Sequence, residues 1–243
     1  YFAYCIDHHS RGHPDNPTYN LCLGDKPTSV IVLDIFKDQI PAKDWWKSVP
    51  GAVGDLCPDT VPDYVWKQSS DLLSCVTKIY TYRGDERLYP YPLWRHVSSP
   101  ISSACRTRKP TLAFNKLLTA NSPYELYTDK LLEDERKRVD EEMRRLDLET
   151  TVVDLGYLIF CELETSLAVV GLQASRINGA TGKTAVVVDT NTGHISIRGI
   201  LCNSIRNALP DYSFGGHGMA MGGHLPDKGT PKKLLEDLSS IFK

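Results

Sequence analysis

"KTAVVVDTNTGHISIRGI" (183–200) is the stretch on which the fold turns. "KTAVVVDT" is a run rich in β-branched residues and reads as a strand. "GHISIRGI" reads as another strand, and the turn "NTG" between them makes a hairpin. Upstream, "VVDLGYLIFCEL" (152–163) reads as a strand and "TSLAVVGLQASRIN" (165–178) as a helix. Downstream, "NSIRNALP" (203–210) is a short helix, followed by the glycine-rich "FGGHGMAMGGHLP" (214–226). "GTPKKLLEDLSSIFK" (229–243) closes the chain as a helix, with Thr230 as cap and Pro231 at its first position. This order makes an α/β unit of about 120 residues, an ordinary domain size.

The earlier part of the chain is organised differently. Residues 1–7 read as a strand, and "SRGHPDNPTYN" (10–20) as a loop of turn formers. "TSVIVLDIFKDQI" (28–40) carries too many apolar residues for one alternating face and reads as a helix, with Thr28 or Ser29 as cap. "VPDYVWKQSSDLLSCVTKIYTY" (61–82) reads as a helix with Val61, Val65, Leu72, Leu73 and Val76 on its inner side. Repeated prolines and Ser-Ser pairs make part of 83–123 irregular, although "TLAFNKLLTA" (111–120) suits a short helix. "SPYELYTDKLLEDERKRVDEEMRRLDLET" (122–150) is the clearest helix. Its acids match its bases at i,i+4 spacing, which suits a solvated connector better than a basic nucleic-acid helix.

Composition narrows the function classes. A chain of 243 residues can bury a sizeable core as one large domain or two small ones. A formal net charge of −2 excludes a global positive field for nucleic acid or anionic lipid and leaves a local basic groove open. Seven scattered cysteines without C-x-x-C spacing read as free thiols in a reducing compartment, the cytoplasm or another. No apolar run reaches the roughly 18 residues of a membrane span. The chain opens at Tyr1 in mid-strand without a charged leader, so its N-terminus reads as cut.

Three stretches could carry chemistry. "CIDHH" (5–9) ends an apolar strand on Asp7, His8 and His9, and carboxylate with neutral imidazole suits borderline metals such as Mn²⁺. Adjacent residues of an extended strand point to opposite faces, so one imidazole would bind metal while the other meets substrate. Two loop-edge histidines beside a turn-forming aspartate is the plainer alternative. In "PGAVGD" (50–55) small residues allow close packing and present the Asp55 carboxylate; a helix-capping aspartate is the alternative. In "FGGHGMAMGGHLP" five glycines flank His217 and His224, leaving backbone N–H groups open to an anion. A flexible loop is the alternative there. Arg198 and Arg206, shortly upstream, could each offer a planar fork to phosphate oxygens.

Together these stretches resemble the DHH phosphoesterase superfamily, in the RecJ-like and oligoribonuclease-like branch with a DHHA1 C-terminal domain. "CIDHH" is similar to the Asp-His-His signature, "PGAVGD" to the later motif ending in a metal-binding aspartate, and "GGHGMAMGG" (215–223) to the DHHA1 glycine signature. Gly218 and Met221 stand where that signature has Pro and Ala. The resemblance implies an α/β fold: the C-terminal part of a parallel-sheet DHH domain over 1–121, a connecting helix over 122–149, and a smaller α/β DHHA1 domain over 150–243.

It also implies a site. His8 and Asp55 would ligate one metal, Asp7 would orient or bind at the centre, and His9 would contact the substrate phosphate. Gly215, Gly216, His217 and Arg198 would hold the terminal phosphate or nucleotide. Members of the family hydrolyse phosphodiesters or phosphoanhydrides, typically with two Mn²⁺ ions. The family's earlier aspartate motifs have no room ahead of Asp7, so the resemblance implies one metal or none here and a chain without turnover. The expected function is a metal-dependent phosphoesterase acting on short oligonucleotides or small nucleotides. The alternative is a non-catalytic nucleotide-binding or scaffolding relative. A second copy or a partner protein would cover the open sheet edge.

Overall fold

The computed structural model describes residues 5–7, 20–22, 26–55, 57–68, 77–82, 85–90, 93–227 and 229–242, as backbone alone at 5–7, 20–22, 68, 77–82, 85–90, 93–96 and 217. The chain is a mixed α/β protein of two compact units, Tyr1–Lys137 and Arg138–Lys243.

The first unit opens with a parallel pair, β1 (Cys5–Asp7) and β2 (Asn20–Cys22), in which Asp7 stands opposite Cys22. Helices α1 (Thr28–Phe36) and α2 (Val49–Gly54) follow. Helix α1 is the one expected, but neither Thr28 nor Ser29 caps it. Ser29 instead donates to the Ser48 carbonyl at 2.8 Å, and a Cβ on Gly51 would stand 2.4 Å from the Ser29 hydroxyl. The small residues of "PGAVGD" thus bring α2 hard against α1.

The continuous helix expected over 61–82 is not formed. A short helix, α3 (Asp63–Gln68), buries Val65, and the segment ends as strand β3 (Thr77–Tyr82), paired antiparallel with β4 (Asp85–Pro90). The Thr, Ile and Tyr residues of β3 favour the pleated surface of a strand, which the helical reading overlooked. Leu72, Leu73 and Val76 lie outside the described residues. The irregular stretch expected after residue 83 is largely ordered: α4 (Leu93–Arg106) runs through Pro100, and α5 (Pro110–Thr119) and α6 (Pro123–Tyr127) follow. Buried Val97, Pro100, Ser103 and Ala104 are small enough for α4 to pack closely on α2, so tertiary contact overrides a proline inside the helix.

The charged stretch is two helices. After α6 the chain breaks at Thr128–Asp129, where the Asp129 carboxylate accepts from the Leu132 N–H at 3.0 Å, and α7 (Lys130–Glu149) begins. It is less solvated than expected. Leu132, Val139, Met143 and Leu146 form a buried stripe at helical spacing, and buried Glu135 is paired with Lys109 at 2.6 Å. Among the described residues no helix is long and apolar enough to cross a membrane.

The second unit is built on a six-stranded sheet ordered β5-β6-β7-β8-β10-β9. Its strands are β5 (Thr151–Asp154), β6 (Leu158–Leu163), β7 (Thr184–Asp189), β8 (His194–Arg198), β9 (Gly215–His217) and β10 (Ala220–His224). The strand expected over 152–163 is a hairpin of β5 and β6, because Gly156 adopts φ +87° between them. The β6–β7 pair is parallel, joined by helix α8 (Val170–Thr181), and the remaining pairs are antiparallel. Helix α9 (Cys202–Ala208) and α10 (Pro231–Ile241) complete the unit, and Thr230 accepts from the Lys233 N–H at 3.1 Å as the expected cap.

Alternation sorts the sheet into two faces. Val186, Val188, Ile195, Ile197 and Met221 join Ile205 of α9 and Leu234 and Leu238 of α10 in one core. Cys161, Leu163, Ala185 and Val187 meet Val170 and Ala174 of α8 and Val139, Met143 and Leu146 of α7 in another. Cys57, Cys105, Cys161 and Cys202 are free thiols, and burial pushes Cys161 up to about 12 and Cys202 to about 11.

Candidate functional site

Strand β8 carries the site on its polar face. Ile195 and Ile197 point into the core, so His194, Ser196 and Arg198 share the other face. Register sets Ala220 of β10 opposite Arg198, Gly222 opposite Ser196 and His224 opposite His194. Gly215 of β9 stands opposite Gly222. Helix α8 covers this face over Ala185 and Val187, while Gly215 and His224 are exposed. The result is a strip of charged and hydroxylic side chains over a floor without bulk.

Arg198 is the centre of the strip. Its Nη1 donates to the Ser196 hydroxyl at 3.0 Å and to the carbonyls of Ile197 at 2.9 Å and Met221 at 3.2 Å. All three acceptors are neutral. Nε and Nη2 meet no acceptor among the described residues, and no carboxylate among them pairs with this guanidinium. Burial lowers the Arg198 pKa, with the Cys202 thiol acting the other way. Nη2 lies under the first turn of α8, 3.1 Å from where a Cβ of Gly171 would be. No side chain caps that helix end, so the positive pole of a twelve-residue helix lies beside an uncompensated cation. Partly buried charges are normally paired, and this arrangement calls for an anion.

Arg145 shows the contrast. It donates to both carboxylate oxygens of Glu142, to Glu149 and to the Glu164 carbonyl, and these acids raise its pKa. It lines a cavity of about 710 Å³ with Glu142, Glu149, Glu162 and Glu164. Four carboxylates around one satisfied arginine repel an anion, so the cavity is no rival to the strip.

The glycine-rich segment is a hairpin, so its alternative reading as a flexible loop does not hold. Its N–H and C=O groups are engaged along β9 and β10, which leaves fewer of them for an anion. Gly216 adopts φ +129°, and a Cβ there would stand 2.4 Å from the Ala220 carbonyl oxygen. It is a backbone requirement of the turn. Gly215 is the reverse case, with nothing within 4 Å of an added Cβ. Arg206 is committed to the Gly216 carbonyl at 3.3 Å and to Asn203 at 2.6 Å, so it braces the hairpin and offers no free fork. His217 stands opposite Ala220 in the ladder, one row from Gly215.

In the first unit Asp7 ends β1, while His8 and His9 lie outside the described residues. Asp55 is exposed as the C-cap of α2, where its N–H bonds the Gly51 carbonyl, so the helix-capping alternative describes its place. Among the described residues no group of three or more His, Cys, Asp or Glu side chains could hold a metal ion. Sequence reading named Arg198 and Gly215 as candidates; Ser196, Gly171 and His194, which the structure places beside them, were not named, because their neighbours come from other elements.

No family model and no curated protein matches this sequence. Among solved structures, RecJ from Thermus thermophilus in complex with Mg²⁺ matches at TM-score 0.59 and 17% identity, over 89% of this chain and 38% of RecJ. The same protein in complex with Mn²⁺ gives 0.58 and 16%, over 89% and 36%. An exopolyphosphatase-related protein from Bacteroides fragilis gives 15% identity over 98% of this chain and 62% of its own, at a TM-score of 0.46 that decides nothing. The chain thus spans less than two-fifths of RecJ. The likeness is one of fold, shared with RecJ.

Proposed function

We propose that this chain binds a phosphate ester, with the phosphate on Arg198, as part of a metal-dependent phosphoesterase of the DHH type. The observation that carries this reading is the Arg198 guanidinium: partly buried, bonded only to neutral acceptors, with Nε and Nη2 uncommitted beneath a helix N-terminus. A phosphate dianion fits these donors in a planar, two-pronged fashion that a lysine could not reproduce.

The ligand proposed is a short 5′-phosphorylated oligonucleotide or a small nucleotide. The chain's net charge of −2 suits a ligand with few phosphates better than a long polyanion. Gly215 and Gly222 leave room beside the phosphate for the rest of such a ligand. Asp7, His8 and Asp55 would hold a divalent cation, Mn²⁺ or Mg²⁺, with His9 toward the substrate phosphate. Carboxylate and imidazole donors suit those ions, which would supply Lewis-acid polarisation of the phosphoryl oxygens. The fold shared with RecJ, solved with either ion, supports that choice.

The test is calorimetric titration of a 5′-phosphorylated dinucleotide and its unphosphorylated counterpart into wild type, Arg198→Met and Arg198→Lys. Losing one charge-assisted pair costs about 1.5–3 kcal/mol, or roughly 10–150-fold in affinity. Arg198→Met should show that loss, with Arg198→Lys between. Equal affinity for the two dinucleotides, or wild-type affinity in Arg198→Met, overturns the reading. Adding Mn²⁺ and following release of mononucleotide separates binding with turnover from binding alone.

A further inference from the structure

His194 and His224 face each other across β8 and β10, with ring centroids 5.0 Å apart and planes inclined at 61°. From this juxtaposition we propose a second ligand site, a two-histidine chelate for a borderline divalent transition metal such as Zn²⁺, Ni²⁺ or Cu²⁺. It lies on the same face of β8 as Arg198 and uses none of the Arg198 donors.

The register makes the pair close. The Leu225 N–H donates to the Gly193 carbonyl at 2.9 Å, so residues 193 and 225 form a hydrogen-bonded pair of the antiparallel ladder. The next pair, His194 with His224, is therefore of the non-hydrogen-bonded type, in which side chains stand nearest. No hydrogen bond to either imidazole is formed among the described residues, so ring nitrogens on both are available. Gly222 opens the flank of His194, since a Cβ there would lie 3.7 Å from its Cε1 atom.

The spacing fits one ion. With a metal–nitrogen bond of about 2.0–2.1 Å and about 1.1 Å from nitrogen to ring centre, each centroid stands about 3.2 Å from the metal. A tetrahedral angle then spreads the centroids by about 5.2 Å, and a right angle by about 4.5 Å. The observed 5.0 Å lies between these values. Burial holds the His194 pKa below its ordinary value, with His224 adding to the shift, which favours the neutral ring a metal requires. Asp189 adds a negative charge nearby, though its carboxylate is occupied by Thr192 and the Asn191 N–H. Solvent would complete the coordination shell.

The experiment is titration of the full chain with Cu²⁺ and Ni²⁺, followed by the histidine ring resonances in NMR and by calorimetry. The His194 and His224 signals, identified with His194→Asn and His224→Asn, should broaden at the lowest metal concentration. His224→Ala and His194→Ala should each weaken one metal-binding event by roughly tenfold or more. His8→Ala should leave that event intact, which separates it from any ion at Asp7 and His8. Broadening of these two rings no earlier than the others, or wild-type metal affinity in both alanine variants, overturns the proposal; because the NMR readout uses wild-type protein, a variant that fails to fold does not protect it.

Discussion

Gly215 and Gly216 are adjacent in sequence and opposite in what a methyl group would do to them. At Gly216, φ is +129°, and an added Cβ would stand 2.4 Å from the Ala220 carbonyl oxygen and 2.9 Å from the Met221 Cα. Both are backbone atoms of the strand paired with it, so no rotamer change relieves the contact. The strained backbone alone costs about 1–3 kcal/mol, and displacement of β9 from β10 adds to it. A total of about 2–4 kcal/mol lowers the melting temperature by roughly 5–15 °C in a chain of this size. At Gly215 nothing lies within 4 Å of the added atom, so the change in stability should stay within about 0.5 kcal/mol. The new methyl would stand on the face shared with Gly222 and Ser196. Gly216→Ala should therefore melt early, while Gly215→Ala should melt like wild type but bind the phosphorylated dinucleotide more weakly. Differential scanning calorimetry on both variants, paired with the ligand titration, reads both effects. Equal melting temperatures for the two variants would refute the geometry of the hairpin. An unimpaired titration for Gly215→Ala would remove β9 from the binding face.

Two further outcomes follow from the packing and titration of the second unit. Leu238 is fully buried on α10, so Leu238→Ala should cost about 2–5 kcal/mol in denaturant unfolding; a loss below about 1 kcal/mol would show that α10 does not seal that core. His194 has a depressed pKa through burial, so it stabilises the folded state above its ordinary value of 6.5 and that contribution is lost as pH falls through the lowered folded value. Glu142, held low by Arg145, adds a second loss as pH falls below its ordinary 4.5. Denaturation midpoints should decline in these two steps, the first absent in His194→Asn; identical profiles for wild type and His194→Asn would refute the assignment.

The order of elements in the second unit was legible because "KTAVVVDT" and "GHISIRGI" declare strands through their own residues. The break at Gly156 was not, since "VVDLGYLIFCEL" is apolar on both sides of a single glycine. Glycine also hid β9 and β10: a strand whose side chains are mostly absent shows no alternation, and its pairing comes from β8. Helix α4 was missed because Pro100 and the serine pairs are local signals against helix, and the contact with α2 that overrides them is long-range. At the site, Arg198 could be picked out by its place in "SIRG". Its meaning depends on Gly171, 27 positions earlier, and on the lack of a paired carboxylate among the described residues. Neither fact is local. His8 and His9 were the most conspicuous residues in the sequence and lie outside the described part of the first unit.

The alternation along β8 ties two properties together. Ile195 and Ile197 fix the core, and His194, Ser196 and Arg198 fix the strip, each set in place by the same pleat. One residue inserted or deleted in this strand would turn Arg198 into the apolar interior and expose the isoleucines. Ligand preference is thus open to change by point substitution on the polar side, which leaves the interior untouched. Length variation is closed to it. Relatives that diverge in what they bind should differ here in residue type, while conserving the count of residues between the Asp189–Gly193 turn and Gly199.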